Sequence, residues 1–148
     1  MKKYFILILV IAGLVYAGIQ HTQNKPSENV NADSGALTND QVLADAFNNK
    51  ESNIQVSGSG RVKTILPDDV EGSRHQKFII QLDSGNTLLI SHNIDIAPKI
   101  NSLRKDDQIE FYGEYDWNSK GGVVHWTHHD PDGSHVDGWL KHKGSIYQ

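Results

Sequence analysis

Histidines are concentrated near the C-terminus, where five of the eight in the chain fall between His125 and His142. Imidazole titrates near neutral pH and binds transition metals. Because Asp130, Asp132 and Asp137 lie among these histidines, the segment has the side chains for a metal site, a proton-transfer site or a pH-sensitive surface. The chain has no cysteine, so a metal site must use His, Asp or Glu, and no thiol nucleophile exists.

Four histidines of this run are candidate ligands of a divalent metal ion such as zinc: His125, His128, His129 and His135. On a strand over residues 123–129, Trp126 faces the core while His125 and His129 point outward. A tight turn through Asp130–Gly133 then brings His135 back beside His128 or His129. Two or three imidazoles would converge in this way. The alternative is that they form hydrogen bonds in turns and cover an aromatic cluster.

A second candidate site pairs His75 with Asp95. The strands on either side of the Asp83–Asn86 turn form a predicted hairpin, and pairing Ile80 with Ile90 places His75 opposite Asp95. Such a pair could orient the imidazole as a general base or as a metal ligand. The alternative is an ion pair that holds the following loop in place.

Ligand-binding residues are predicted around this pair and in the turn before the fifth strand: Arg74, His92, Asn93 and Trp117. The first three lie on the strand face and loop rim where OB barrels bind their ligands. An aromatic side chain such as Trp117 stacks on ligand rings in barrels that bind nucleic acids or sugars. The alternative is that Trp117 covers one mouth of the barrel.

The elements that position these residues are mostly strands. Alternating apolar and polar residues predict five of them, over residues 54–66, 74–82, 87–94, 108–116 and 123–129. The first strand is long and has Gly58 and Gly60 on its inward face, which is typical of a sharply bent strand. This order predicts a mainly β fold, a small five-stranded OB-like barrel. Pro98 and the short span of residues 95–107 indicate a loop or single turn where most OB folds have a helix.

The predicted domain covers residues 37–148 and includes an element at each end of the barrel sequence. Thr38 and Gln41 form a capping box, which starts a helix over residues 38–50. At the other end, residues 130–148 are expected to form a hairpin closed by Lys143-Gly144.

The N-terminus predicts export. Lys2 and Lys3 precede an apolar run from Tyr4 to Val15, which is typical of a signal peptide over residues 1–17. Residues 18–36 are polar and form a flexible linker. The apolar run is shorter than the about 20 residues of a membrane span, so we expect a periplasmic or secreted protein, with an uncleaved membrane anchor as the alternative.

Charge argues against nonspecific nucleic-acid binding. The chain carries 14 basic and 18 acidic residues, a net charge of -4, and loss of Lys2 and Lys3 with the signal leaves 12 against 18, or -6. A surface of this sign repels the phosphate backbone.

Several runs of the sequence resemble a bacterial family of small exported proteins known as domain of unknown function 3465. The runs are Gly60-Arg61-Val62, Leu66-Pro67-Asp68-Asp69, Glu71-Gly72-Ser73-Arg74-His75-Gln76-Lys77-Phe78, Leu88-Leu89-Ile90-Ser91-His92-Asn93-Ile94-Asp95-Ile96-Ala97-Pro98, Gly121-Gly122-Val123-Val124-His125-Trp126-Thr127-His128-His129-Asp130-Pro131 and Gly138-Trp139. The resemblance extends over roughly residues 56–148. The resemblance implies the class of protein and its localisation, and it indicates no substrate.

Two functions are consistent with these residues. We expect an exported cell-envelope protein whose OB-like module binds a small molecule or an envelope component. The alternative is a metal-dependent hydrolase, a nuclease or phosphoesterase, in which the clustered histidines bind the ion and His75 and Asp95 act as base and orienting group.

Overall fold

The computed structural model describes residues 38–148. Its elements are α1 (Asn39–Asn49), β1 (Ile54–Ile65), β2 (His75–Gln81), β3 (Thr87–Asn93), β4 (Gln108–Asp116), β5 (Val123–His125), β6 (Trp139–His142) and β7 (Ser145–Tyr147). The predicted signal peptide (1–17) and linker (18–36) lie outside the described residues. Within the described part of the chain, no helix combines the length and apolar character needed to cross a membrane.

β1 closes the barrel because it pairs with two different strands. Its pairing with β4 begins with Ile54 opposite Tyr115, and its pairing with β2 ends with Ile65 opposite Phe78. A bulge after Val62 marks the second pairing. β1 therefore turns the sheet back on itself.

The two inward glycines of β1 leave room for close neighbours at this bend. A Cβ atom on Gly58 would lie 2.6 Å from the ring of Phe111, and one on Gly60 would lie 2.7 Å from the carbonyl oxygen of Gln81. Neither position has space for a side chain. The glycines are thus needed where β1 passes over the core and leaves β4 for β2.

The strand order around the barrel is β1-β2-β3-β5-β4, and β4 pairs again with β1. β3 and β5 run parallel, with Leu89 opposite Val123, and the other pairs are antiparallel. This arrangement confirms the predicted five-stranded OB-like barrel with an N-terminal helix and a C-terminal hairpin. The interior is filled by apolar side chains that include Val56, Val62, Phe78, Ile80, Ile90, Ile109, Phe111, Tyr115, Val124 and Leu140.

Helix α1 begins at the predicted capping box. The hydroxyl of Thr38 accepts a hydrogen bond from the backbone N–H of Gln41 at 3.3 Å, and the Gln41 side chain accepts one from the Thr38 N–H at 2.7 Å. Leu43 and Ala46 are buried in the barrel core, and the helix ends before Lys50, which has a left-handed φ of 56°. Helix α1 therefore covers one end of the barrel.

The link between β3 and β4 contains turns and no helix, as Pro98 predicted. It is fastened to the barrel by the buried side chain of Gln76, which donates to the carbonyl oxygen of Ile100 at 3.0 Å and accepts from its N–H at 2.9 Å. Ile100 itself is buried. The loop thereby supplies the apolar cover that a helix gives in most OB folds.

The C-terminal hairpin extends the sheet beyond the barrel. β5 and β6 share one edge of β4, because β5 pairs with residues 114–116 and β6 with residues 109–112. Between them the chain makes an excursion over residues 126–138, which we call the 126–138 loop. The carboxylate of Asp107 holds the hairpin in place, since it accepts from Nε2 of His142 at 2.8 Å and from Nζ of Lys143.

Candidate functional site

One groove on the outside of the barrel brings together residues from both predicted sites. It lies between the ends of β2 and β3 and the chain that follows β5, and its volume is about 210 Å³. The lining residues are Ser73, His75, Ser91, Asn93, Ile96, His125, Trp126 and His128. Three histidines from two separate parts of the chain meet here, and none of the lining residues is a lysine, an arginine or a carboxylate. We call this site the histidine groove.

The hairpin register changes the partner of His75. His75 lies opposite Asn93, so the predicted pairing with Asp95 is wrong by two residues. The error arises because Ile80 pairs with Leu88. A shift of two residues keeps every side chain on the same face, so matching apolar residues does not distinguish the two registers.

Asp95 instead binds Arg74. Its carboxylate accepts from the Arg74 backbone N–H at 2.7 Å and from Nε at 2.6 Å, and these bonds lower the pKa of Asp95. Nδ1 of His75 lies 2.7 Å from the carbonyl oxygen of Ser73. Since a carbonyl only accepts, Nδ1 carries the proton and Nε2 is the free acceptor of the neutral ring.

His92 is placed behind the groove, in the barrel wall. Its side chain is fully buried, so in this arrangement it has no surface for the predicted contact with a ligand. Nε2 donates to the carbonyl oxygen of Pro98 at 3.2 Å, and Nδ1 accepts from the hydroxyl of Thr127 at 2.9 Å. Burial lowers the pKa of His92 to about 4. The neutral ring therefore joins β3, the following loop and the 126–138 loop.

Trp117 lies at the other end of the barrel, apart from the histidine groove. Its ring centroid is 6.5 Å from that of Phe47 in α1, and Nζ of Lys50 lies 5.5 Å from the ring. The indole Nε1 is buried and has no hydrogen-bond partner among residues 38–148. Trp117 thus covers a mouth of the barrel beneath the helix, and it does not join the other predicted ligand-binding residues.

The backbone of Trp126 ends β5 four residues earlier than predicted. Trp126 has a left-handed φ of 51°, which breaks the alternation of the strand, and Thr127 and His128 are buried after it. The prediction that Trp126 faces the core is therefore wrong. Its ring stacks on His135, with centroids 4.1 Å apart and planes 7° from parallel.

The four histidines predicted as metal ligands are divided: His125 and His128 line the groove, His125 also shares a carboxylate with His135, and His129 lies on the surface. Nδ1 of His128 lies 2.7 Å from the carbonyl oxygen of His129. His129 pairs with Asp137 at 2.9 Å and is exposed. The 126–138 loop thus returns His135 to Glu114, the carboxylate that His125 also contacts.

His125 and His135 meet at two carboxylates on the outer face of β4. Nε2 of His125 lies 2.9 Å from Oδ2 of Asp116 and 3.6 Å from Oε1 of Glu114. Nε2 of His135 lies 2.8 Å from Oε2 of Glu114. The ligand atoms of Glu114, Asp116 and His125 all lie within 4.8 Å of one another. We call these four residues the carboxylate–histidine cluster.

Glu114 and Asp116 are not among the predicted site residues, although the sequence contains a signal for them. Glu114 and Asp116 alternate on β4 and therefore share its outer face. Their proximity to the histidine run depends on the pairing of β4 with β5, in which Glu114 lies opposite His125. That register could be recognised only after the structure showed that β5 ends at His125.

A turn centred on Asp130 fixes the position of His135. The Asp130 carboxylate accepts from the backbone N–H groups of Asp132 at 3.1 Å, Ser134 at 2.5 Å and His135 at 2.6 Å. These bonds lower the pKa of Asp130, although burial opposes them. A carboxylate that is ionised across the neutral range therefore organises the loop.

Both ring nitrogens of His135 face acceptors. Nδ1 lies 2.8 Å from the carbonyl oxygen of Val136, and Nε2 lies 2.8 Å from the carboxylate of Glu114. Burial lowers the pKa of His135, but the bonds to Glu114 and Val136 outweigh burial and raise it above its usual value. The ring therefore keeps a proton on each nitrogen to a higher pH than a free histidine.

The closed five-stranded barrel, with β3 and β5 parallel, defines this chain as a small OB-like protein. It belongs to the family described as "Protein of unknown function (DUF3465)", which matches residues 28–148, so the resemblance found in the sequence is confirmed. A search of curated proteins gives no match. The family description names no activity.

Proposed function

We propose that this protein is an exported module of the cell envelope that binds a small, uncharged, hydroxyl-bearing ligand of the carbohydrate type in the histidine groove. The observation that carries the proposal is the groove itself, in which three imidazoles and three other polar side chains line one surface without a lysine, an arginine or a carboxylate. Its position supports a binding role, because OB folds bind oligosaccharides and oligonucleotides on the face of strands 2 and 3 and the adjoining loops.

The chemistry of the groove favours a neutral polar ligand. His75 and His128 each point Nδ1 at a backbone carbonyl, so each neutral ring offers Nε2 as an acceptor. Ser91 and Asn93 add hydroxyl and amide groups. The side chain of Trp126 adds an aromatic wall. Acceptors, donors and an aromatic surface together suit a sugar ring.

The size and charge of the groove narrow the ligand class. A volume of about 210 Å³ is below the roughly 300–1,000 Å³ of sites that take drug-sized molecules. One sugar unit, alone or at the end of a longer chain, is therefore the expected occupant. A phosphate-rich ligand is disfavoured, because the lining residues include no lysine or arginine and the chain is acidic overall.

The alternative of a metal-dependent hydrolase is less well supported. It required Asp95 to orient His75 as a base, and Asp95 is bound to Arg74 instead. A backbone carbonyl orients His75, which fixes the ring and adds no negative charge to raise its basicity.

The proposal that the protein is exported rests on the sequence of residues 1–17, where Lys2 and Lys3 precede the apolar run. The test is to express the full chain, fractionate the cells and sequence the N-terminus of the protein from each fraction. Recovery from the periplasm or medium with a new N-terminus near residue 18 is expected. Recovery only from the cytoplasm, with Met1 retained, would refute export.

Ligand binding is tested with an N-acetylglucosamine trisaccharide as the probe. We expect saturable binding by calorimetry to untagged protein isolated from cells that express the full chain. His75→Ala and Asn93→Ala should each weaken binding by about tenfold or more, as expected for one or two lost hydrogen bonds. His129→Ala is the matched control, because His129 is exposed and lies outside the groove.

Two outcomes would overturn the ligand class. The first is failure of the trisaccharide to bind at millimolar concentration. The second is binding that the groove variants leave unchanged. An oligothymidylate strand is titrated in parallel, and binding of this strand in place of the trisaccharide would also reject the proposal.

A further inference from the structure

We propose that the carboxylate–histidine cluster of Glu114, Asp116, His125 and His135 is a binding site for one divalent transition-metal ion of the zinc type. The inference goes beyond the proposed function, because it concerns a different set of side chains and does not require a ligand in the histidine groove. His125 is the one residue that the two sites share.

The donor atoms already face one another. Oε1 of Glu114, Oδ2 of Asp116 and Nε2 of His125 lie within mutual reach, with separations of 2.9 and 3.6 Å from the imidazole nitrogen to the two carboxylates. The second oxygen of Glu114 faces Nε2 of His135 at 2.8 Å. Zinc bound by histidine and carboxylate has ligand distances of about 2.0–2.2 Å. An ion between Glu114, Asp116 and His125 requires adjustments of their side chains, and His135 reaches it by moving from its contact with the other oxygen of Glu114.

Charge at the cluster favours a divalent cation. With neutral imidazoles, Glu114 and Asp116 give the cluster a charge of -2, and their side chains are only 17% and 34% exposed. Partly buried like charges repel, and each loses hydration. One divalent ion neutralises both carboxylates and takes the imidazole lone pairs as ligands.

The surrounding structure holds the ligands in place. Glu114 and His125 are directly opposed across the β4–β5 ladder. The ring of His135 is stacked against Trp126, and its Nδ1 is bonded to the carbonyl oxygen of Val136 at 2.8 Å. A backbone carbonyl on the second ring nitrogen is the usual outer contact of a metal-binding histidine, since it fixes the ring with Nε2 toward the ion.

The donor set selects the type of metal. Two imidazole nitrogens with two carboxylates suit Zn²⁺, Ni²⁺ or Cu²⁺, whereas Mg²⁺ and Ca²⁺ prefer sites made only of oxygen. No thiolate is available in the chain. A four-coordinate zinc-type ion is therefore the expected occupant.

The experiment measures Zn²⁺ binding to the untagged protein, isolated from cells that express the full chain, after treatment with a chelator. Calorimetry should give one Zn²⁺ per chain, and Co²⁺ should give the visible absorption of a four-coordinate site. His125→Ala and Glu114→Gln should each reduce the affinity by more than about tenfold, the lower limit seen when even outer-shell partners are lost. His129→Ala should bind as wild type, because its only ion-pair partner among the described residues is Asp137.

Three results would overturn the metal site: binding well below one ion per chain in the wild type, equal affinity in wild type and His125→Ala, or an equal loss in His129→Ala. If a variant does not fold, the ring nitrogen shifts of His125 and His135 in the wild type decide the question. Zn²⁺ must move the Nε2 signals of both rings, and unchanged signals reject the site. His75→Ala separates the two proposals, since it should weaken binding of the trisaccharide and leave Zn²⁺ binding intact.

Discussion

Protonation of His92 should oppose folding, because the ring is fully buried in the native protein and free in the unfolded chain. Its pKa is about 4 in the folded state, against 6.5 without burial. As the pH falls below about 6.5, His92 is protonated in the unfolded chain, whereas in the native chain it is protonated only near pH 4. The free energy of unfolding therefore has its full value above pH 6.5 and declines between pH 6.5 and 4.

The size of the effect follows from the two pKa values. One proton of difference gives a slope of about 1.4 kcal/mol per pH unit. Lowering the pH from 7.5 to 5.0 should cost about 2 kcal/mol, and the complete loss approaches about 3 kcal/mol. For a protein whose total stability is of the order of 5–15 kcal/mol, this loss is large.

The assay is urea unfolding of wild type and His92→Gln at pH 7.5 and 5.0. Glutamine can still donate and accept hydrogen bonds but does not titrate, so the variant should be less sensitive to acid by about 2 kcal/mol. His135 acts with the opposite sign, because its pKa is raised and its contribution is lost as the pH rises. Both proteins carry His135, so its effect cancels in the comparison.

Equal dependence on pH in the two proteins would refute the reasoning. If His92→Gln does not fold, an NMR titration of the His92 ring in the wild type replaces the comparison. A midpoint below pH 5 supports the buried neutral ring, and a midpoint above pH 6 rejects it.

Three further substitutions test the fold around the sites. Thr38→Ala removes the capping hydroxyl of α1 and should lower the free energy of unfolding by about 1 kcal/mol in urea. Gly138→Ala places a Cβ atom against the carbonyl oxygen of Trp126 and should cost about 1–3 kcal/mol by overpacking, with a change in tryptophan fluorescence. Trp117→Phe removes a buried N–H that has no partner within residues 38–148. Its free energy of unfolding should stay within about 1.5 kcal/mol of wild type, because the loss of packed volume offsets the benefit of removing the unpaired N–H.

Each of these substitutions has a control. Thr38→Ser keeps the capping oxygen, and a loss equal to that of Thr38→Ala would argue against the cap. Gly133→Ala meets no neighbour but has a φ of 65°, so it should cost about 1 kcal/mol and leave the fluorescence unchanged. Loss of trisaccharide binding in Trp117→Phe would indicate that the ligand binds at the end of the barrel covered by α1, and not in the histidine groove.

The fold was predictable because its signals are local. Alternation over β1 and β4 requires only neighbouring residues, and so does the capping box of Thr38 and Gln41. The glycines at positions 58 and 60 marked the bend of β1 before any pairing was known. The order of five strands with a long link before β4 was then enough to indicate an OB-like barrel.

The candidate site was less predictable because it depends on backbone geometry that the pattern does not encode. The register of β2 and β3 differs by two residues from the predicted one, and such a shift leaves each side chain on the same face of the sheet. The left-handed conformation of Trp126 is unusual for a bulky residue, and it ends the strand alternation from which the directions of His128 and His129 were predicted. Glu114 and Asp116 join the histidines only through the pairing of β4 with the shortened β5.

The pairing of β1 with β4 also governs how the chain folds. The hairpin of β2 and β3 joins residues close in sequence, with Gln81 opposite Thr87, whereas Ile54 must find Tyr115, 61 positions further along. Loop entropy is lost before such contacts form, so barrel closure is expected to be the slow step, on a timescale of roughly milliseconds to seconds. Until closure, β1 and β4 present unpaired strand edges to other chains. The open barrel therefore exposes more strand edge for aggregation than the closed barrel does.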